Sequence, residues 1–404
     1  MRLEKIPDVF VRASAVIEEI EKHGFEAYFV GGSVRDTLLG KKSHDVDIAT
    51  SAYPEEIKQI FKRTVDVGID HGTVLVLYEE EQYEITTFRT ESTYQDYRRP
   101  DTVTFVRSLE EDLKRRDFTI NALAMDKEGT IIDLFHGLDD LNHGVIRAVG
   151  DPKERFHEDA LRMMRGLRFA SELDFEIETK TLEAIDLYHS LLSKISVERI
   201  AIEFIKLLLG KNRCKGLLPF IETACYQSCP GLKDRLDGLT AFSKLPNQLI
   251  EEEQQGWALL LKELRIPVSE TRDFLKEWKL SNHLMHDVSE LLYGLEVRLT
   301  GAWKAEDLFR LGLEKALSVE KMLSFYQHEV NLELTEKKYS ALPITERKQL
   351  QISGNDLLAA FDKKPGKWLG ILINELEAAV INGEVVNNKP DLILYSEKFV
   401  KKGE

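Results

Sequence analysis

Cysteine is scarce in this chain. Three in 404 residues, Cys214, Cys225 and Cys229, are too few for a disulfide framework, and none of their spacings is the C-x-x-C of a zinc ribbon or redox pair. They read as buried or inert thiols. Also missing is any run of about 18 apolar residues, so no membrane contact is expected. The first residues, Met1-Arg2-Leu3-Glu4-Lys5, bring in an acidic side chain at once and lack the apolar core of a secretory leader. A cytoplasmic protein is expected. A positive charge balance is absent as well: the net charge is −15. That argues against indiscriminate binding to long nucleic acids but leaves room for a local basic site, because phosphate binding needs local positive charge only.

The 404 residues predict two to four domains, and 43% hydrophobic content is ample for their cores. No repeat or low-complexity segment is visible. The first 150 residues read as an α/β head. Tyr28 to Gly32, Asp45 to Ala49, Thr73 to Leu77 and Tyr83 to Phe88 have the short β-branched or aromatic pattern of strands, with a hairpin through Glu79 to Gln82. Ala122 to Asp126 and Thr130 to Asp133 suggest a second hairpin. Helices are expected over 8–22, 54–62, with Pro54 in its first turn, and 107–116. Residues 90–105, polar and holding Pro100, read as a mobile loop. From Asp151 onward helical periodicity takes over, punctuated by Pro230, Pro246, Pro267 and Pro343, and Asn382-Gly383 ends a helix that starts near Pro365-Gly366.

The sharpest local feature is Gly31-Gly32-Ser33-Val34-Arg35-Asp36, followed by Asp45-Val46-Asp47. Strand alternation puts Asp45 and Asp47 on one face, where two carboxylates can share divalent cations. Paired ions about 3.5–4 Å apart steady both the attacking and the leaving oxygen of a phosphoryl transfer. An all-oxygen donor set favours Mg2+, with Mn2+ as the alternative. Glu84, on a neighbouring expected strand, is the candidate third carboxylate. Gly31, Gly32 and Ser33 let backbone N–H groups approach phosphate at a helix start, and Arg35 adds a fixed charge. A lone D-x-D is usually a solvated turn; its combination with the glycines and the arginine resembles the nucleotidyltransferase superfamily that includes DNA polymerase β.

Two further clusters follow. In Arg115-Arg116-Asp117-Phe118-Thr119-Ile120-Asn121-Ala122, Arg116 suits triphosphate oxygens, while Asp117 can meet a ribose hydroxyl or orient an arginine; Asn121 is a second ribose candidate. Arg155-Phe156-His157-Glu158-Asp159-Ala160-Leu161-Arg162 is expected on one helix whose apolar stripe is Phe156, Ala160, Met163, Met164 and Leu167. Asp159 and Arg162 then sit three apart on its other face, where the plain reading is a surface ion pair. Chemistry offers a sharper one. Cytosine and adenine each show an amino donor beside a ring-nitrogen acceptor, matched by a carboxylate beside a guanidinium; uracil and guanine show the reverse order. Mismatched polar groups in such a site cost up to ~10⁴-fold in selectivity.

Together these motifs resemble the class II, bacterial-type CCA-adding enzymes, which are tRNA nucleotidyltransferases. GGSVRD with D-V-D is similar to the family's catalytic motif, RRDFTINA to its sugar- and phosphate-binding motif, and EDALR to its base-recognition motif. Ile195-Ser196-Val197-Glu198-Arg199-Ile200, with Glu203 and Lys206, is similar to its neck helix, and Asp96-Tyr97-Arg98-Arg99-Pro100 to the flexible loop used in switching from C to A. The resemblance is dense over 25–210, thin in the body, and recovers near Ile352-Ser353-Gly354 and from Pro365 to Gly383. It implies an α+β fold: a polymerase-β-like head with a mixed sheet over 1–150, then an elongated all-α neck (151–215), body (216–320) and tail (321–404). It implies metal binding by Asp45 and Asp47, and nucleotide contacts by Gly32, Arg35, Arg116, Asp159, Arg162, Arg165 and Arg168. The implied partners are tRNA, CTP and ATP, with no protein partner evident.

Rival readings share the head. Poly(A) polymerases typically carry a basic extension, and this chain ends in Lys401-Lys402-Gly403-Glu404 without one. CC-adding relatives tend to lack the loop signature kept at Asp96, Arg98 and Arg99, whereas an A-adding relative has overlapping head motifs. A non-catalytic RNA-binding protein would have let Asp45 and Asp47 drift.

Overall fold

In the computed structural model, residues 1–42, 45–68, 72–91, 94–95, 99–100 and 103–400 are described. The chain divides into two units: Met1–Ser243 with Asn247–Ile250 and Glu277–Lys279, and Lys244–Pro246 with Glu251–Lys276 and Leu280–Glu404.

The first unit opens with α1 (Asp8–Lys22), which buries Phe10, Ala13, Val16, Ile17 and Ile20, the one-sided stripe of a helix laid on a sheet. Then follow β1 (Ala27–Val30), α2 (Gly32–Leu38), β2 (Asp47–Thr50), α3 (Pro54–Ile60), β3 (Thr64–Gly68), β4 (Thr73–Tyr78) and β5 (Glu81–Thr87). Four short strands come next: β6 (Arg89–Glu91), β7 (Tyr94–Gln95), β8 (Arg99–Pro100) and β9 (Val103–Phe105). They pair as β6 with β9 and β7 with β8, so the described part of the segment expected as a loop forms ladders. Asp96 and Arg98 lie outside the described residues. After α4 (Leu109–Lys114), β10 (Leu123–Met125) and β11 (Ile131–Asp133) complete a seven-stranded sheet in the order β11-β10-β1-β2-β5-β4-β3.

The sheet is mixed because β2 and β5 run parallel while the pairs flanking them are antiparallel. Period-two alternation splits its residues between two cores. Phe29 and Ile48 join α1 on one face, where Phe10 meets Phe29 edge-on at 4.9 Å. Val30 and Ala49 face the other way, toward Phe88, Leu109, Leu113 and Ala124. That second face carries Asp47, two residues before Ala49. The β4–β5 turn has Glu79 and Glu80 at φ 47° and 70°, as a two-residue type I′ hairpin requires.

Beyond the sheet come α5 (Gly137–His143), β12 (Val145–Ile146), α6 (Pro152–Glu158), α7 (Leu161–Leu173), β13 (Glu176–Ile177), α8 (Thr179–Tyr188), α9 (Val197–Leu208), α10 (Arg213–Glu222) and α11 (Leu236–Ser243). β13, which pairs in parallel with β12, departs from the helical reading past Asp151. The three thiols are unpaired with one another, and burial pushes that of Cys225 up to about 12, in keeping with inert cysteines.

The second unit is helical. It holds α12 (Glu253–Glu263), most of α13 (Thr271–Glu277), α14 (Asn282–Thr300), α15 (Ala305–Met322), α16 (Leu332–Ser340), α17 (Gly354–Phe361), α18 (Lys367–Ile381) and α19 (Lys389–Val400). The fully buried Glu320 carboxylate accepts hydrogen bonds from Arg298 and Trp303, which offsets its desolvation. α18 ends at Ile381 and is capped by Asn382, with Gly383 at φ 72°. No helix among the described residues is long and apolar enough to cross a membrane.

Candidate functional site

β1 runs into Gly31 at φ 73° and ψ −139°, a conformation open to glycine, before α2 begins. A Cβ there would lie 3.0 Å from Nη1 of Arg116 and 3.9 Å from Oδ2 of Asp47. The bare backbone is what lets a guanidinium and a carboxylate converge beside it. Ser33 is buried and donates to the Val30 carbonyl at 3.1 Å, so its hydroxyl closes the turn.

A cavity of about 610 Å³ opens over this corner. It gathers Gly31, Gly32, Arg35, Asp47, Arg116, Asp117 and Asn121 from the sheet side, and Asp159, Arg162, Arg165 and Arg168 from the helices. Asp45, Glu84 and Ser33 are not among its lining residues. Eight arginines and four aspartates line it among the described residues, a local excess of positive charge inside a chain of net −15. Such an excess suits a polyphosphate.

Asp45 lies outside the hydrogen-bonded strand, since β2 starts at Asp47. The alternation expected of it still holds, because Asp45 and Asp47 are exposed and Val46 between them is buried. Glu84 is the register partner of Asp47 across the parallel pair, which puts both side chains on one face. Burial raises the Asp47 pKa; Arg116 opposes this, and the like charges of Glu84 and Asp45 add to it. Three carboxylates thus share one electrostatic neighbourhood. Among the described residues no three His, Cys, Asp or Glu side chains close into a metal cage. The arrangement is open, with two aspartates and room for other oxygens.

Arg116 is held by Asp112, buried at 1% exposure, which takes Nη2 of Arg116 at 3.0 Å and Nε and Nη2 of Arg115 at 3.1 and 2.9 Å. Asp112 went unread in the sequence. Its signal is helical spacing, three and four residues before the two arginines.

Asp117 and Asn121 act on arginines. One Asp117 oxygen accepts Nε of Arg165 at 2.7 Å, and the other accepts the Phe118 amide at 2.8 Å and the Asn121 side-chain amide at 3.0 Å. Burial works to raise the Asp117 pKa, but Arg165 and Asn121 outweigh it and bring it down to about 2. Asn121 in turn accepts Nη1 of Arg35 at 2.6 Å. The polar chain Arg165–Asp117–Asn121–Arg35 therefore occupies groups considered for ribose, and of the two roles open to Asp117 the geometry favours orienting an arginine.

The expected single helix over 155–168 is broken. α6 ends at Glu158 and α7 starts at Leu161, with Asp159 between them at φ −138° and ψ 105°. Its carboxylate accepts the Leu161 amide at 3.0 Å, the local side-chain bond by which aspartate competes with helix. The partner that Asp159 shows lies on another helix, not three residues on as expected. Asp159 binds Arg199 on α9 at 2.6 Å through Nη2. Arg162 pairs with Glu158 and donates to the carbonyls of Arg155 and Arg115 at 3.1 and 2.8 Å. α9 presents Arg199 and Glu203 four apart on one face, and Glu203 takes Nε of Arg168 at 2.5 Å. Arg199 was legible as part of the neck signature, but nothing local marked it as the partner of a residue 40 positions away.

Comparison with known proteins places these residues in context. Residues 27–147 match the family described as the poly A polymerase head domain, 174–234 a probable RNA- and SrmB-binding site of polymerase A, and 248–395 a putative tRNA nucleotidyltransferase domain 2. The CCA-adding enzyme of Enterococcus faecalis is 61% identical over 404 residues, all of both chains. That of Ligilactobacillus salivarius is 49% identical, covering 99% of each. The crystal structure of the Bacillus stearothermophilus CCA-adding enzyme in complex with CTP superposes with a TM-score of 0.90 at 40% identity, over 98% of this chain and 99% of that one.

Proposed function

The chain belongs to the CCA-adding enzymes, and from that premise we propose how its cavity performs the reaction. The protein adds C, C and A to the 3′ end of tRNA from CTP and ATP, without a nucleic-acid template, and releases pyrophosphate. The observation that carries our reading is a single cavity in which Gly31, Arg116 and Asp47 meet at one corner while Asp159, from the break between α6 and α7, and Arg162, from α7, reach the same space.

We assign the triphosphate to the Gly31–Gly32 corner, under Arg35 and Arg116. Their guanidiniums are fixed in advance by Asn121 and Asp112, so little ordering remains to be done when phosphate arrives. Arg165 and Arg168, held by Asp117 and Glu203, extend the positive surface. Asp159 accepts from the exocyclic amino group of the incoming base, and Arg162 donates to its ring nitrogen. Three donors already reach the Asp159 carboxylate, Leu161 N and two from Arg199, which leaves room on a group with about four acceptor positions. Asp45 and Asp47 hold divalent cations, Mg2+ by preference, with Glu84 as the supporting carboxylate. The donor set fits: all oxygen, and clustered like charges that a cation neutralises. A bound cation supplies charge stabilisation at the α-phosphate and lowers the pKa of the attacking 3′-hydroxyl. Residues 1–150, 151–215, 216–320 and 321–404 form head, neck, body and tail in our reading, working in the cytoplasm.

Chelation tests the carboxylate assignment. Enzyme stripped with EDTA is expected to lose nucleotide addition by at least ~10³-fold and to recover it on adding Mg2+, with Mn2+ as a weaker or comparable substitute. Full activity after stripping, with metal analysis below stoichiometric levels, contradicts the assignment.

A further inference from the structure

Phe169 is an apolar residue in a cavity otherwise dominated by charge. It lies on α7, four residues after Arg165 and next to Arg168, and is 3% exposed. The guanidinium carbons of Arg35, Arg165 and Arg168 stand 4.9, 5.4 and 3.9 Å from its ring centroid. Phe118 meets the ring edge-on at 5.9 Å and 83°, fixing its tilt. Three like charges around one ring repel one another. Each is partly balanced by its own acid: Arg35 by Asp36, Arg165 by Asp117, and Arg168 by Glu203 and Glu172.

We infer that the Phe169 ring is a positioning residue for nucleotide binding: its π face gathers the guanidiniums of Arg35, Arg165 and Arg168 in one orientation. The chemistry of the contact is what suits it to this task. A cation attracted by a ring quadrupole spends none of its N–H donors, whereas every carboxylate partner consumes one or two. The ring thus draws Arg35 of α2 toward Arg165 and Arg168 of α7 without taking any donor beyond those already given to Asp36, Asn121, Asp117, Glu203 and Glu172. This inference rests on our reading that these arginines contact the nucleotide.

The test uses the full-length enzyme with 4-fluoro-, 3,5-difluoro- or 3,4,5-trifluorophenylalanine at position 169, which drains the ring face of negative potential while nearly keeping its shape. KM for CTP and for ATP is expected to climb stepwise with fluorination, to roughly tenfold at the end of the series, with kcat and the thermal midpoint changing far less. Phe169→Leu is expected to match or exceed the trifluoro enzyme in KM. A KM flat across the fluorinated series, with loss in Phe169→Leu tracking thermal stability, overturns the inference and makes the ring a core filler. Arg35→Ala and Arg165→Ala separate the two levels. If they raise KM while fluorination does not, only the role of Phe169 fails; if they leave KM unchanged, the nucleotide-binding reading fails and takes this inference with it.

Discussion

Asp47→Ala is expected to lower nucleotide addition by at least ~10³-fold while leaving the protein folded. The two halves of this expectation have separate physical grounds. Asp47 borders the cavity at the rim of the sheet and is exposed, so truncation leaves no void in the core. Its charge is also held at a cost, since partial desolvation beside the cavity and the like charges of Glu84 and Asp45 outweigh the attraction of Arg116. Removing it therefore leaves the thermal midpoint level or slightly raised, whereas the reaction loses a group on which cation binding depends. Asp45→Ala should behave alike. Glu84→Ala should cost less, because in our reading Glu84 supports the aspartate pair from the neighbouring strand and does not itself hold a cation. The checks are single-turnover addition of C to tRNA together with a melting curve. Activity within tenfold of the parent for Asp47→Ala, in a folded protein, removes Asp47 from the chemistry.

Asp159→Ala is expected to damage choice more than rate. Discrimination against UTP, measured as the ratio of kcat/KM for CTP to that for UTP, should fall by roughly 100-fold, while CTP addition itself falls less. The carboxylate rejects uracil by facing its carbonyl oxygen with another acceptor, and alanine abolishes that repulsion. Arg199→Ala extends the prediction to a residue beyond the motif. Arg199 orients Asp159 through a 2.6 Å bond from the neck helix, so its loss should loosen base choice in the same direction with Asp159 still present. Unchanged UTP rejection in Asp159→Ala sinks the recognition role. Loosening in Asp159→Ala but not in Arg199→Ala makes the ion pair a fold contact only.

Much of the head was legible because local chemistry and tertiary role agree there. The stripe of α1 is buried as its periodicity says, and the β4–β5 hairpin turns through Glu79 and Glu80, the first half of the expected Glu79 to Gln82 connection, with Glu81 and Gln82 already in β5. β3 went unseen for a physical reason. It is an edge strand, and Val65 and Val67 point to solvent at 47% and 51% exposure, so its apolar residues mark no core. The break at Asp159 was hidden because an aspartate inside a periodic stretch reads alike whether it sits on a helix or caps one. What it caps is decided by a carboxylate accepting Leu161 N and by Arg199, far along the chain. The same limit applies to Asp117 and Asn121. Their types announced a polar site, but only the fold shows them spent on Arg165 and Arg35. Clustered motifs named the residues that converge; which side chain holds which is a long-range matter and was not written locally.

The central claim is that one pocket, without a template, admits C and A and refuses U and G. Its direct test is incorporation from each of the four nucleotides, singly and as a CTP–ATP mixture, onto tRNA ending at the discriminator base. The account predicts C, C and then a single A from the mixture, and nothing from UTP or GTP. Adenosine added without limit, A added only to a preformed CC end, or efficient addition of U would contradict it.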